Sequence, residues 1–386
     1  MLKPRLLLAL LLAGGCQGPA AFQPAGPVYR PPDGAIPLPV RPSSIICRDG
    51  RMYVGSFHDA QLLVLDEKTH QVLHRFDDFD RYTSTIDQCD PDGKVVGQRT
   101  ESHPCPPGDM RLVGDRLIVG QCFSQRQLVF DVPTMHLIER AGSDGTYWIC
   151  TSRDGRTACF PGDGQSAFIV RQAGGKSVAV PPIDNGRGLD HVALSPDGKR
   201  LYIAVQRRAR EAGAQSPSPE AGPADPTKQL YSGPFLAVFD VKAEKYVKKT
   251  SIGDTLAVRG DDSSLANGLA FSDDGRLLYI PMGQCMAGVH VYDTAADRLL
   301  RPITFPSTHP SSPWPGCRHV YVRGDTMLVL LASNGELAIL DLPSRKVTAV
   351  ASLPGSGGGG FAVAGRRVYV GAHDLRRVYW LDIPSL

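Results

Sequence analysis

A chain of 386 residues with 42% hydrophobic and 21% charged residues has the make-up of a soluble globular protein. Its net charge is only +3 and no basic tract interrupts it, which argues against a polyanion footprint and leaves no nucleic acid among the expected partners. Glycine (41) and proline (32) together make about 19% of residues against an average of about 12%, the mark of many turns without low complexity.

Lys3 and Arg5 open a positive segment, and Leu6 to Leu12 form an apolar run too short to cross a bilayer. Ala13-Gly14-Gly15-Cys16 follows. Small residues directly before a cysteine resemble the lipobox of bacterial lipoproteins, whose cysteine is lipidated and becomes the mature N-terminus. An ordinary secretory signal cut near Gly15 is the alternative. Residues 1–15 are therefore expected to be a signal peptide, Cys16 the lipidation site, and residues 16–35, rich in Gly, Ala and Pro, a flexible tether. Gln17 resembles the outer-membrane sorting pattern of such lipoproteins. The expected location is the bacterial cell envelope, on the outer membrane, with the membrane itself reached through the lipid.

Nine cysteines less the lipidated one leave eight, an even number suited to an oxidising compartment. In Cys150-Thr-Ser-Arg-Asp-Gly-Arg-Thr-Ala-Cys159 a two-residue turn at Asp154-Gly155 places the two cysteines opposite one another at a non-hydrogen-bonded site. A disulfide is expected there; small buried core residues are the other reading. There is no Cys-x-x-Cys or Cys/His cluster with zinc spacing, so neither a structural metal nor any cofactor is expected.

Beyond the tether, Ala35-Ile-Pro-Leu-Pro-Val40 reads as a short strand, and a repeating unit begins. First strands are expected at Ser44–Arg48, Met110–Val113, Trp148–Ser152, Val192–Ser195, Gly268–Ser272, His319–Arg323 and Phe361–Ala364. Turns such as Ser195-Pro-Asp-Gly198 lead into second strands, among them Met52–Ser56, Leu117–Gln121 and Met327–Leu331. Third strands end in aspartate at Asp66, Asp131, Asp240, Asp293, Asp341 and Asp382, with Arg171 in the equivalent place of the third unit. These marks are 65, 40, 69, 53, 48 and 41 residues apart, a base period of about 40–50 with two insertions. Weaker fourth strands follow, such as Val72–Phe76 and Val347–Ser352, but the last unit stops after its third. The expected fold is all-β, a seven-bladed β-propeller over residues 36–386 with four-stranded blades, its ring closed when the N-terminal strand completes the last blade. Six or eight blades is the competing count.

His191–Val205, Gly268–Ile280 and Phe361–Val370 resemble the YVTN/lactonase-like seven-bladed propeller superfamily. The resemblance covers nearly the whole mature chain at the level of blades and implies a fold, because this hairpin serves enzymes, electron-transfer subunits and binding proteins alike.

Two insertions break the period. Residues 79–108 contain Cys89 and Cys105 and are expected to be a disulfide-stapled loop. Residues 207–233 are poor in apolar residues and are expected to be a mobile arm. Loops joining strands two to three and four to one share one face of a propeller, so both insertions fall on that face. Cys285 and Cys317, on neighbouring blades there, are expected to pair. Cys47, Cys89, Cys105 and Cys122 have three possible pairings, of which Cys105–Cys122 is favoured by register.

Residues just before each first strand ring the channel on the same face: Tyr147, Trp148, Asp190, His191, Asn267, Arg318, His319 and Phe361. These are the expected ligand-binding residues. Pro315-Gly316-Cys317-Arg318-His319 resembles the Arg-His stretch of YVTN-type lactonases, which implies Arg318 polarising a lactone carbonyl and His319 or His191 activating water. The family's acidic residue and its long glycine-rich early blade have no match. Asp109, Asp190 and Asn267 could supply oxygen ligands as in calcium-dependent gluconolactonase-type propellers, with no spacing to fix them. The absence of Cys-x-x-Cys-His and Gly-x-Ser-x-Gly argues against attached haem and a nucleophile-elbow hydrolase. The favoured expectation is a non-catalytic, lipid-anchored propeller that binds a protein or small ligand on its insertion-bearing face. The alternatives are a periplasmic lactonase-like hydrolase and a docking subunit for a redox partner, as in amine-dehydrogenase-like propellers.

Overall fold

The computed structural model describes residues 28–92, 94–124, 126–142, 149–152, 157–161, 168–172, 176–181, 183, 189–205, 235–252, 268–281, 288–304, 317–331, 335–355 and 360–386. After β1 (Val28–Arg30) and β2 (Gly34–Pro37), the first antiparallel sheet is β3 (Ser44–Arg48), β4 (Arg51–Ser56), β5 (Gln61–Asp66) and β6 (Val72–Phe76). A separate hairpin follows, β7 (Arg81–Cys89) with β8 (Val95–Pro104). The second sheet is β9 (Pro107–Val113), β10 (Arg116–Gln121), β11 (Arg126–Asp131) and β12 (Leu137–Gly142). The third is β13 (Cys150–Thr151), β14 (Thr157–Pro161), β15 (Phe168–Gln172) and β16 (Ser177–Val180). Next come β17 (Leu189–Leu194), β18 (Arg200–Val205), β19 (Phe235–Asp240) and β20 (Lys245–Ser251). A fifth sheet holds β21 (Ala270–Phe271), β22 (Leu277–Pro281), β23 (Gly288–Asp293) and β24 (Arg298–Thr304). A sixth holds β25 (Cys317–Arg323), β26 (Thr326–Leu331), β27 (Glu336–Asp341) and β28 (Lys346–Ser352). These six sheets each use four consecutive strands. The final β29 (Phe361–Ala364), β30 (Arg367–Ala372) and β31 (Arg377–Asp382) make only three.

The fourth strand of that last sheet is β2, antiparallel to β31 with Gly34 opposite Trp380 and Ile36 opposite Val378. The expected strand over Ala35–Val40 thus lies one residue earlier and ends at Pro37, where Pro37 and Pro39 supply no donors for a longer ladder. The tether expected over 16–35 is also shorter, because the chain is already in sheet at Val28. There β1 runs parallel to β28, Val28 facing Ala349, and uses backbone groups that an outer edge would leave to solvent. Arg30 and Asp33 then tie the crossing segment to β31: Arg30 pairs with Asp33 at 2.7 Å, and Asp33 accepts from the Asp382 amide at 2.7 Å.

Burial explains why the middle strands read as unbroken apolar runs. β5 and β26 are covered on both faces by neighbouring sheets, whereas outer β6 is exposed along most of its length. Each buried Leu or Val contributes about 1.5–3 kcal/mol relative to exposure. The apolar clusters sit between successive sheets. Val178, Leu201 and Phe235 join the third to the fourth, and Tyr202, Leu236 and Tyr292 the fourth to the fifth. Ile36, Ile45, Leu63, Tyr369 and Val378 join the last sheet to the first. The result is an all-β propeller.

Two kinds of turn mark one face. Between first and second strands, Ser195 accepts the Gly198 amide at 2.8 Å, while its hydroxyl meets Asp197 at 2.7 Å and the Arg200 amide at 2.9 Å. Ser272, Asp274 and Gly275 repeat the pattern. Between third and fourth strands, the terminal aspartates accept amides two or three residues on: Thr69 to Asp66 at 2.7 Å, Thr134 to Asp131 at 3.0 Å, Ser344 to Asp341 at 2.9 Å. Those hydrogen bonds hold the three carboxyls below their ordinary pKa. Asp382, with no reversal after it, instead pairs with Arg367 through both oxygens at 2.8 and 2.9 Å.

The insertion over 79–108 is a regular hairpin rather than a disulfide-stapled loop. Arg81 faces Pro104 and Gln88 faces Gly97, so the ladder itself satisfies the backbone. The arm over 207–233 lies outside the described residues. Among the described residues the one helix is the single 3-10 turn His373–Leu375, and no helix is long and apolar enough to cross a membrane.

Candidate functional site

A cavity of about 1020 Å³ is lined by the first strand of every sheet. Its walls include Ile45, Asp109, Thr151, Val192, Ala270, His319 and Phe361. Pro196 and Asp273 border it toward the turn-bearing face, and Phe57, His58 and His373 toward the loop-bearing face. It is therefore an axial channel, walled mostly by small and apolar side chains with polar groups at its ends.

Three first strands break register where they leave the loop-bearing face. Leu189 faces Val205 and His191 faces Ala204, so Asp190 is an extra residue in β17. Cys317 faces Leu331 and His319 faces Leu330, so Arg318 is the matching extra residue in β25. β9 has a comparable shift between Pro107 and Met110, beside Asp109. A bulge bends its strand and re-aims the side chains around it. Asp190 and Arg318 thus occupy equivalent backbone positions two sheets apart.

His319 and Phe361 both line the cavity and meet edge to face, ring centroids 5.8 Å apart. Asp190, His191 and Arg318 are described in backbone only, and Tyr147, Trp148, Asn267, Cys16 and Cys285 lie outside the described residues. Asp109 is a strap rather than an open oxygen ligand. It accepts Arg111 at 2.6 Å, the Met110 amide at 2.8 Å and, across to the third sheet, the Ile149 amide at 3.0 Å. Burial raises its carboxyl above the ordinary value against the pull of Arg111 and both amides. Among the described residues no group of three His, Cys, Asp or Glu side chains is placed to hold a metal.

Among the described residues Cys47, Cys105, Cys122, Cys150, Cys159 and Cys317 are thiols, not the expected disulfides. Cys150 and Cys159 do face each other across β13 and β14, and a hydrogen bond joins their side chains. Cys105 and Cys122 are both buried near one crossing, where the Cys122 amide donates to Pro106 at 2.8 Å. Cys317 is buried at the start of β25, and burial pushes its thiol up to about 12 against a bond from the Gly288 amide.

A set of rings on the loop-bearing face was not anticipated. His373 meets His58 at 4.4 Å between centroids, His58 meets Phe57 at 5.3 Å, and Phe57 meets Phe123 at 6.3 Å. Phe123 meets Tyr82 of the hairpin at 4.7 Å, and Tyr82 meets His103 at 5.4 Å. Burial lowers the His58 pKa, helped by His373 and Arg41 and opposed by Asp59 and Asp374. Phe57, Phe123 and His373 each come one or two residues after a second strand. That shared position was the available signal; attention to first strands alone passes over it.

No family model matches this chain, and no curated protein matches it in sequence. Solved structures share its fold. Kuenenia stuttgartiensis hydrazine synthase aligns at TM-score 0.63 and 14% identity, over 90% of this chain and 96% of the other. A chain of the mitotic checkpoint complex aligns at 0.63 and 9%, over 95% and 96%. The β-propeller domain of Cps50 (Swd1) from Myceliophteria thermophila aligns at 0.61 and 10%, over 92% and 99%. At these identities the likeness is one of fold alone.

Proposed function

We propose that this chain is a cell-envelope β-propeller of the YVTN/lactonase-like kind, anchored to the outer membrane by lipid on Cys16, that binds a ligand or protein without catalysing its conversion. In this reading the six sheets of four consecutive strands, one of them extended by β1, and the composite sheet of β29–β31 with β2 are seven blades of one closed ring. The loop-bearing face, where both insertions emerge, is the binding face. One observation carries the reading: a cavity of about 1020 Å³, the size of a small-molecule site, opens among Phe57, His58 and His373. In the exported protein Cys150 and Cys159 would join, since they already face one another.

The test uses the full chain purified from its own membranes. Native mass spectrometry is expected to find a bound species that Thr151→Trp, which fills the channel, removes. An empty channel in the original protein, or a bound species indifferent to Thr151→Trp, overturns the binding reading. Cys16→Ser is expected to release the chain to the soluble fraction; unchanged membrane fractionation overturns the anchor. Deleting residues 207–233 is expected to abolish co-purification of a protein partner with little change in melting temperature.

A second reading has its own support, the placing of His319 in the channel wall next to the bulge at Arg318. As a lactonase-like hydrolase the protein would lose turnover of a lactone panel in Arg318→Ala and His319→Ala. Turnover unchanged by both substitutions removes that reading.

A further inference from the structure

We infer that the ring ledge His373–His58–Phe57–Phe123–Tyr82–His103 is a binding platform for a neutral oligosaccharide, continuous with the channel mouth; this rests on the binding reading above. Three observations carry it.

The ledge is continuous with the cavity, because Phe57, His58 and His373 line both. From there it runs outward over Phe123 to the hairpin, whose Tyr82 and His103 form its far end. The site is longer than a single small-molecule pocket and suits a chain of linked rings.

Phe123 is held out deliberately. The residue is 53% exposed and its backbone sits at φ +65°, a left-handed conformation unfavourable for a bulky residue. The residues on either side fix it there. Gln121 Nε2 and Ser124 Oγ both donate to Asp80, each at 2.9 Å, and Arg140 anchors Asp80 at 2.7 Å. A strained, exposed phenyl ring fixed by a buried polar clasp has no use in the propeller core.

The charge around the ledge selects the ligand class. Asp59 is within 3.5 Å of Arg41 and 3.3 Å of Arg376, Asp80 pairs with Arg140, Asp109 with Arg111, and Glu101 with Arg99 at 2.5 Å. Carboxylates and guanidiniums beside the rings are thus close to balanced: Asp59 takes two arginines, Asp78 and Asp80 share Arg140, and Asp374 bonds the His373 ring. An anionic ligand would meet carboxylates and a cationic one would meet arginines, whereas a neutral polyol can donate to the first and accept from the second. Sugar rings add flat arrays of C–H bonds that pack on aromatic faces, and hydroxyl edges for His58, His103 and the ion pairs. An apolar peptide would leave those polar edges unmatched on desolvation.

The experiment is calorimetric titration of the full chain with maltohexaose, cellohexaose and chitohexaose. A hexagalacturonate and a proline-rich apolar peptide serve as comparison ligands. At least one neutral hexasaccharide is expected to bind, and Phe123→Gly, which removes the ring and suits the backbone, is expected to weaken it at least tenfold without lowering the melting temperature. Tyr82→Ala is expected to weaken it in the same direction. The inference is overturned if none of the three neutral ligands binds, if only the hexagalacturonate or the peptide binds, or if affinity survives Phe123→Gly. A hexasaccharide lost in Phe123→Gly but indifferent to Thr151→Trp would uphold the ledge and remove the channel. A channel-bound species lost in Thr151→Trp while Phe123→Gly leaves every titration unchanged would do the opposite.

Discussion

Gly275 and Phe123 both have positive φ, +72° and +65°, on opposite faces of the propeller. On the turn-bearing face the residue is the one sterics demand, since only glycine adopts a left-handed conformation without strain. There is a second reason for it: a Cβ on Gly275 would lie 2.8 Å from Pro196 of the neighbouring turn. On the loop-bearing face the same conformation holds a phenylalanine that stands half in solvent. The contrast belongs to these two positions rather than to the faces, since His70, Met135, Glu244, Asp297 and Arg345 also take positive φ in the reversals of the turn-bearing face; what sets Phe123 apart is a large apolar ring standing in solvent on a rigid scaffold.

Exchange of residues separates the two positions. Gly275→Ala meets both the backbone penalty and the clash with Pro196, and should destabilise by about 2–4 kcal/mol in urea unfolding. Gly50 has φ +73° with nothing within 4 Å of an added Cβ, so Gly50→Ala should show the backbone part alone, about 1–2 kcal/mol. Equal losses at the two sites would remove the role given to Pro196.

Asp59 is the loop-bearing face's own tie. It accepts the Arg41 amide at 2.6 Å and the Ser56 hydroxyl at 2.8 Å, and those bonds outweigh burial and lower its pKa. Asp59→Ala should cost about 1–2 kcal/mol, read as a fall in midpoint with no change in slope. No loss would mean that the segment entering the first sheet is held by packing alone.

Phe123→Gly should have the opposite sign to Gly275→Ala. Relief of about 1–2 kcal/mol of backbone strain exceeds ring contacts worth about 0.5–1.5 kcal/mol, so the melting temperature should hold or rise slightly. A clear drop would show that the ring is a structural prop.

The smallest expected effect is in pH. Burial lowers the pKa of both His58 and His290, so each takes up its proton more readily in the unfolded chain. Their stabilising contribution is complete above about pH 6.5, the unfolded value, and is lost as pH falls through their lower folded values. Melting temperature should decline from pH 7.5 to 5, and His58→Gln with His290→Gln should flatten that decline. Carboxylates such as Asp66, whose pKa is lowered by turn hydrogen bonds, should contribute only at still lower pH. An unchanged slope in the double variant would assign the decline to other groups.

Much of the fold was legible because its signals are local. A strand ending in aspartate, then amides two or three residues on, is a rule contained in five residues, and Asp66, Asp131 and Asp341 all obey it. The opposition of Cys150 and Cys159 was legible from a turn count, while their chemical state was not. The hairpin over β7 and β8 was mistaken for a stapled loop because its alternation is polar on both faces and gives no hydrophobic period to read. The channel residues His319 and Phe361 were legible from their place at a first strand, whereas Asp109 was read only as a possible oxygen ligand, because its strap to Ile149 joins two sheets and has no local signature.

The propeller repeat, the turn chemistry and the pairing of the N-terminal segment with the last strand all follow from short-range periodicity or from a count of strands. Where the exceptions meet depends on long-range packing. Phe57, Phe123 and His373 come from loops of three different sheets and Tyr82 from a hairpin between two of them, so no window of sequence contains their contacts. Packing the sheets around one channel brings those loops to the same rim, and the extra residues at Asp190 and Arg318 bend their strands at that end.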